Sequence, residues 1–293
     1  MASLSSVANF VVEAVQMQAS LALYGNGAGV LNNYKGRRDR ARAAAEWQRI
    51  EPRLEPDQIA VQLLETGCAL VPPCHDPEML LRIKRAADAC FEDPAKWING
   101  QAAAVPGVEV PVRRLRNPLE YIPEIRHLVN DTIAKSVSAY YGAGFRVSDV
   151  SIWRNYHIPN PNIDAYSNFW HFDSSNTSHL KLFVNLGDDV DRTSGAFRAH
   201  SLARTREIAR SGYLHRAMIV GRAWRMVEDA DQMFYLEGGL GATALVNTAT
   251  CLHRAGVPKE GQPRTMINFV VVPSASPFSH NWSLSGETGR KTF

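Results

Sequence analysis

Several features that mark well-known protein classes are missing from this chain. Its four cysteines form no CxxC pair, which leaves no zinc-ribbon framework, and we expect them to be reduced thiols. No apolar stretch has the length of a membrane span, and the first residues lack the basic segment of a signal peptide. The formal net charge of +3 is too small to indicate a nucleic-acid partner. We therefore expect a cytoplasmic protein that spans no membrane and binds no nucleic acid.

The chain does have the composition of a folded enzyme. Hydrophobic residues make up 45% of its 293 residues and charged residues 21%, a balance that argues against disorder. This length suits one large domain or two small ones.

Helical patterns occupy the first half of the chain, and short apolar segments occupy the second. Apolar spacing predicts helices over 56–65, 77–91 and 123–140, with a short strand at 69–71. After Gly142, short apolar segments alternate with turns, as in a β-sandwich or barrel. These segments cover 145–156, 180–186, 195–198, 242–246 and 265–272. The predicted fold class is α+β, with helices that support a sheet.

These changes of pattern divide the chain into three parts. Residues 1–55 are predicted to form an N-terminal helical extension, whose basic cluster at 36–42 is either a solvated helix face or a docking patch for an anionic group. Residues 56–274 are predicted to form a single domain, and 275–293 a tail. A helical insertion at about 202–241 carries six arginines, and we interpret it either as a surface helix or as a lid.

The most informative motif is His171-Phe172-Asp173, which is followed far downstream by His253. Two imidazoles and one carboxylate are the ligand set of non-haem Fe(II) oxygenases. Residues two apart on a strand point to the same side, so His171 and Asp173 can reach one metal ion. A His-x-Asp tripeptide alone is common by chance, and its support here comes from the β-type segments around both parts of the set.

Arg264 opens the last apolar segment and shares a strand face with Met266 and Asn268. An arginine that points into a barrel is costly unless a carboxylate neutralises it. Its planar fork suits a bidentate carboxylate, such as the far end of an α-keto acid that chelates the iron.

The segment Leu180–Leu186 alternates between two kinds of face. Its leucines and Val184 form one aliphatic face, which we expect to point outward to the helices. Phe183 and Asn185 are then predicted to line the cavity, and Lys181 lies nearer its rim.

Six stretches of the sequence together resemble a known family. They are Trp170–Asp173, Leu180–Asp188, Ser194–Phe197 with Ala199–Ser201, Gly241–Thr248, Leu252–Gly256 and Pro263-Arg264. In order and spacing this text resembles the phytanoyl-CoA dioxygenase-like family of Fe(II)/2-oxoglutarate oxygenases, over roughly residues 56–274. The chain departs from the family pattern at Ala196, where proline is frequent, and at Ala199-His200-Ser201, which lacks the usual Pro-Gly.

The resemblance implies a double-stranded β-helix, a jelly-roll or cupin-like core flanked by helices. It implies His171, Asp173 and His253 as the iron ligands and catalytic centre, and Arg264 as the clamp on the far carboxylate of 2-oxoglutarate. We expect Trp153, Asn155, Asn185 and Thr243 only as candidate neighbours of the co-substrate, because they fall on strands near the expected site.

The implied function is that of a dioxygenase that uses Fe(II), 2-oxoglutarate and O₂ to hydroxylate an unactivated C–H bond. Asp173 argues against a radical halogenase, in which a small residue leaves room for chloride. Desaturation or cyclisation with the same oxidant stays open, as does a catalytically silent jelly-roll that binds a small molecule. A hydrolytic zinc site would not need Arg264. The arginines suggest an anionic or carrier-linked small-molecule substrate.

Overall fold

The structure is a computed structural model that describes residue 12 and residues 15–280, apart from 24–25, 53, 100–109, 116, 174, 216–217 and 220–221. Among these residues, no helix is long and apolar enough to cross a membrane. All four cysteines are free thiols. The predicted tail beyond residue 280 lies outside the described residues.

Twelve strands are found in the residues that the structure describes. They are β1 (Cys68–Val71), β2 (Trp97–Asn99), β3 (Val112–Leu115), β4 (Gly144–Asn155), β5 (Leu180–Asn185), β6 (Phe197–His200), β7 (Tyr213–His215), β8 (Met218–Ile219), β9 (Met233–Leu236), β10 (Thr243–Val246), β11 (His253–Arg254) and β12 (Arg264–Ser274). Seven of them form an antiparallel major sheet in the order β1-β10-β5-β12-β4-β3-β2. A minor sheet has the order β11-β6-β9, and β7 pairs with β8 in a separate ribbon.

The major and minor sheets pack face to face around a small inner core. Phe183 and Met266 of the major sheet contact Phe197 and Leu236 of the minor sheet within one buried cluster. This arrangement, an antiparallel sandwich with helices outside it, confirms the predicted α+β jelly-roll class.

In the described part of the chain, residues 15–23 are helical, and seven further α-helices accompany the strands. They are α1 (Val30–Trp47), α2 (Gln58–Thr66), α3 (Pro77–Phe91), α4 (Pro118–Tyr121), α5 (Asp131–Tyr141), α6 (Leu202–Arg210) and α7 (Arg222–Val227). Helices α2, α3 and α5 cover the outer face of the major sheet and form the main core with it. Leu180, Leu182 and Val184 belong to this core, so the aliphatic face of β5 points outward as predicted.

The helix predicted over 123–140 is wrong in its first third. Residues Pro123–Leu128 form a 3₁₀ helix, and α5 begins afresh after Asn130. Asn130 causes this restart, because its extended backbone and its side chain, which accepts a hydrogen bond from the Ile133 amide at 3.2 Å, make it an N-cap.

The N-terminal extension packs against the chain segment that follows the His-x-Asp motif. Gly27 lies against the ring of Phe172, and Gly36 lies against Thr177. The Asn176 amide donates a hydrogen bond to Asp39 at 2.6 Å. The basic cluster at 36–42 is therefore divided, since one face of α1 contacts this segment and only the other is exposed.

The insertion at 202–241 contains α6, the β7–β8 ribbon, α7 and β9. Its helices pack on Trp170 and Leu252 in a separate buried cluster. Strand β9 belongs to the minor sheet, so the last part of the insertion is a component of the sandwich itself.

Candidate metal centre

His171 and His253 are joined by the backbone before their side chains meet. They form an isolated antiparallel bridge, in which His171 N donates to His253 O at 3.0 Å and His253 N donates to His171 O at 3.1 Å. The sequence suggested that His171 and Asp173 share a regular strand. Only this bridge forms at His171, and the Asp173 amide is instead fixed by Thr248 O at 3.1 Å.

The three side chains converge on one point between the sheets. Asp173 Oδ1 lies 3.8 Å from His171 Nε2 and 3.7 Å from His253 Nε2. One ligand atom from each residue lies within 4.8 Å of those of the other two. Two atoms that each bind one ion at about 2.0–2.2 Å can be at most about 4.4 Å apart, and both distances to Asp173 Oδ1 are below that limit. The structure thus brings together the three ligands predicted from the sequence.

Both imidazoles are held in the tautomer that a metal ligand needs. His171 Nδ1 donates to Phe169 O at 2.8 Å, and His253 Nδ1 donates to Cys251 O at 3.0 Å. A carbonyl oxygen only accepts, so Nδ1 carries a proton in both rings and Nε2 is the nitrogen left to bind a metal ion. Two imidazoles that offer Nε2, together with one carboxylate, fit a divalent cation such as Fe(II).

Asp173 is held as a carboxylate by its surroundings. Burial would raise the pKa of this group, but the Lys181 ammonium and the two imidazoles outweigh burial and keep the pKa well below its usual range. Lys181 Nζ lies 2.6 Å from Asp173 Oδ2. The ligand carboxylate is therefore charged at neutral pH.

Arg264 lies buried in the same cavity, at the start of β12. It is 5% exposed, and its Nη1 donates to Gly195 O at 2.6 Å. Its Nε has no hydrogen-bond partner, and no carboxylate of the described residues forms an ion pair with it. Burial lowers the pKa of Arg264 to about 10, so it stays charged. An anionic ligand would satisfy this cation.

A cavity of about 130 Å³ connects Arg264 with the three metal ligands. This volume holds several water molecules, so it has room for a small organic ligand. The remaining lining residues come from the inner faces of both sheets and from the segment before His171. They are Trp153, Asn155, Tyr166, Ser167, Lys181, Phe183, Phe197, Ala255, Met266 and Asn268. Phe183, Met266 and Asn268 point inward as predicted from strand alternation.

Two candidate neighbours of the co-substrate lie elsewhere. Thr243 pairs with Val184 across β10 and β5, so it points to the outer, helix-covered face, where its hydroxyl lies 3.0 Å from His75 Nε2. Asn185 is on the inner side, but its amide donates to Gly238 O at 2.8 Å and closes a turn. Neither residue lines the cavity, so the placement of Thr243 beside the co-substrate is corrected.

Tyr166 and Ser167 line the cavity although the sequence did not single them out. They lie in an irregular segment fixed by Asn168, whose Oδ1 accepts from the Ala165 amide at 2.7 Å. Ser167 has a φ of 65°, and its carbonyl accepts from the Ala255 amide at 2.8 Å. An irregular segment has no repeat of polarity like that of a strand, so the sequence pattern could not predict that Tyr166 and Ser167 line the cavity.

No residue of the described part of the 202–241 insertion lines this cavity. The insertion reaches the site indirectly, since Trp170 packs against its helices and donates to Glu228 at 3.0 Å. In this conformation it supports the backbone of the motif and does not cover the metal centre.

The fold is shared with several solved structures. The epimerase SnoN in complex with Fe³⁺, alpha ketoglutarate and nogalamycin RO has a TM-score of 0.55 at 14% identity, over 80% of this chain and 91% of its own. AviO1 from Streptomyces viridochromogenes Tue57 has a TM-score of 0.52 at 17% identity, over 77% and 98%. EctD from S. alaskensis with 2-oxoglutarate and 5-hydroxyectoine has a TM-score of 0.53 at 13% identity, over 76% and 81%.

No protein-family model matches the chain. A search of curated proteins also gives no match. At identities this low, the likeness to the solved structures establishes the fold alone.

Proposed function

We propose that this protein is an Fe(II)- and 2-oxoglutarate-dependent dioxygenase that hydroxylates an unactivated C–H bond of a small molecule. The observation that carries the proposal is the presence of Arg264, buried without a carboxylate partner among the described residues, in the cavity that holds His171, Asp173 and His253. A metal site alone would also serve a zinc hydrolase, which has no use for that arginine.

The chain's own residues would divide the task between them. His171, Asp173 and His253 would hold the iron from one side, and Arg264 would bind the far carboxylate of 2-oxoglutarate. With iron bound, O₂ and 2-oxoglutarate would be converted to succinate and CO₂; one oxygen atom of O₂ would enter succinate, and the other would be available to oxidise the C–H bond. Phe183, Phe197 and Met266 would keep water out of the reacting space.

The family assignment and the reaction outcome are parts of the same proposal. The order and spacing of the six sequence stretches favour the phytanoyl-CoA dioxygenase-like family within this fold. The similar structures include an epimerase and one solved with 5-hydroxyectoine, so proteins of this fold are associated with different reaction outcomes. We propose hydroxylation because Asp173 fills the position that a halogenase must leave open; epimerisation, desaturation or cyclisation would follow from another substrate pose.

The substrate is proposed to be a small molecule that enters beside Lys181 and Trp153. The cavity lining mixes aromatic side chains with asparagines, which suits an amphipathic molecule. A carrier-linked or anionic substrate, and a cytoplasmic location, stay predictions from the sequence.

A turnover assay tests the proposal. Purified protein with Fe(II), ascorbate, O₂ and 2-oxoglutarate should release succinate slowly without substrate, and faster with the matching member of a metabolite panel. The His253→Ala variant should release no succinate. The control variant His127→Ala, at an exposed histidine, should release as much as the original protein. If the original protein releases no succinate, either alone or with any member of the panel, the alternative applies: a catalytically silent jelly-roll that binds a small molecule.

A further inference from the structure

The two oxygens of the Asp173 carboxylate have different surroundings. Oδ1 faces the two imidazoles, at 3.8 Å from His171 Nε2 and 3.7 Å from His253 Nε2. Oδ2 points away from them and lies 2.6 Å from the ammonium of Lys181. The carboxylate is thus divided between a metal-facing atom and an atom engaged by a cation.

Lys181 is anchored far more rigidly than the residue it contacts. It lies within β5, paired with Val246 of β10 on one side and Val270 of β12 on the other. Asp173 lies outside any strand, and its backbone is fixed by one hydrogen bond to Thr248. A lysine from the centre of the sheet can therefore set the orientation of a carboxylate from an irregular segment.

The ion pair is partly shielded from solvent. The side chains of Lys181 and Asp173 are 21% and 20% exposed, and both line the cavity. A partly buried carboxylate without a cation would be costly, and a buried lysine without an anion equally so. The pair therefore persists as a unit, and its geometry decides which carboxylate oxygen is available.

We propose that Lys181 is a positioning residue, which holds Asp173 Oδ2 so that the carboxylate offers only Oδ1 to the metal ion. The inference rests on the proposed function, since it concerns the same metal centre. A carboxylate bound through one oxygen occupies one position of an octahedral ion, whereas a carboxylate bound through both takes a second position that the keto acid needs. Outer residues that orient metal ligands affect metal affinity or activity by 10–100-fold when they are replaced.

Cobalt(II) is a suitable probe, because the intensity of its visible bands depends on the number and arrangement of its ligands. The Lys181→Met variant keeps most of the chain length and removes the charge, and Lys181→Arg keeps the charge. Lys84→Met is the matched control, because Lys84 pairs with Asp88 at 3.0 Å on an outer helix. Circular dichroism and thermal melts on each variant establish that it is folded, and Lys181→Gln replaces Lys181→Met if the latter is not.

Two measurements are made on each variant under anaerobic conditions: the visible spectrum of the cobalt-loaded protein, and the Kd of 2-oxoglutarate for that protein. We expect Lys181→Met to change the spectrum and to weaken 2-oxoglutarate binding by about tenfold or more. Lys181→Arg should restore most of both properties, and Lys84→Met should leave both unchanged.

Three outcomes would overturn the proposal. An unchanged spectrum with unchanged 2-oxoglutarate affinity makes the ion pair irrelevant to the metal. An unchanged spectrum with weakened affinity assigns Lys181 to direct contact with the co-substrate. A Lys181→Arg variant as impaired as Lys181→Met excludes a role for the charge. Failure of the original protein to bind cobalt or 2-oxoglutarate would instead contradict the proposed function, so the two failures are distinguishable.

Discussion

Gly36 of α1 lies directly against Thr177, four residues beyond Asp173, the proposed metal ligand. A Cβ added to Gly36 would overlap the Thr177 hydroxyl and would lie 2.8 Å from the Ser178 amide nitrogen. Such an approach of helix to backbone is open only to glycine. The N-terminal extension, in which the sequence showed no family resemblance, thus packs closely on the segment that follows the proposed metal ligand Asp173.

Replacing Gly36 with alanine should destabilise the protein. Alanine favours the helix by up to about 1 kcal/mol, but its methyl group must displace the packed segment, and overpacking costs about 1–3 kcal/mol. We expect a net loss in the free energy of unfolding by urea denaturation, together with weaker Co(II) binding. Ala45→Ser on the exposed face of α1 is the control. A Gly36→Ala protein as stable as the original would show that this packing is loose.

Removing the guanidinium of Arg264 should chiefly raise the 2-oxoglutarate requirement. A charge-assisted hydrogen-bonded pair contributes about 1.5–3 kcal/mol, which corresponds to roughly 10–100-fold in KM. Arg264→Lys should recover only part of this loss, because it keeps the charge but not the fork. Succinate assays over a range of 2-oxoglutarate concentrations measure the effect, with Arg38→Ala at an exposed site as the control. An unchanged KM for 2-oxoglutarate in Arg264→Ala would show that Arg264 does not bind the co-substrate.

Replacing His171 with alanine should abolish metal binding while the fold persists. The imidazole supplies one of three donors, and its loss leaves two, too few for tight binding of a divalent ion. Calorimetric titration with Mn(II) should show no binding to His171→Ala and normal binding to His127→Ala. Circular dichroism should be the same for both variants. Retained Mn(II) affinity would place the metal elsewhere in the protein.

Acid should lower the free energy of unfolding of the protein, partly through protonation of His200. Burial lowers the pKa of this histidine to about 4, and its ring stacks on Trp170 while Nε2 donates to Val227 O at 3.3 Å. The unfolded chain, with a histidine pKa of about 6.5, binds the proton more readily. The contribution of neutral His200 to the free energy of unfolding is therefore fully present above about pH 6.5. It is lost as the pH falls from about 6.5 to 4, which lowers the free energy of unfolding by up to about 3 kcal/mol.

Urea denaturation between pH 7.5 and 4.5 measures this dependence. A His200→Gln variant should be less stable at pH 7.5 but should lose less stability on acidification, because glutamine does not titrate. An identical pH dependence in both proteins would show that other groups carry the effect, such as the half-buried His75 and His179, whose pKa values burial also lowers.

Alternation along the strands predicted much of the site. The aliphatic face of β5 and the row Arg264, Met266 and Asn268 on β12 were readable because each strand repeats its polarity every second residue. The His-x-Asp spacing then predicted that His171 and Asp173 lie close enough to reach one metal ion.

The rest depends on information that local pattern does not contain. The short strand Thr243–Val246 has no polarity difference between its faces, so only its pairing with β5 shows that Thr243 points outward. The contact of Lys181 with Asp173 joins a strand to an irregular segment, and the packing of Gly36 on Thr177 joins residues 141 positions apart. Such contacts are set by tertiary packing and have no signature in one sequence.

An anaerobic titration of the Fe(II)-loaded protein with 2-oxoglutarate shows whether the keto acid binds the metal held by His171, Asp173 and His253. We expect a weak visible charge-transfer band that saturates with the keto acid, is lost in Asp173→Ala, and needs much more 2-oxoglutarate in Arg264→Ala. A protein that binds Fe(II) yet develops no band at saturating 2-oxoglutarate would contradict the proposed function.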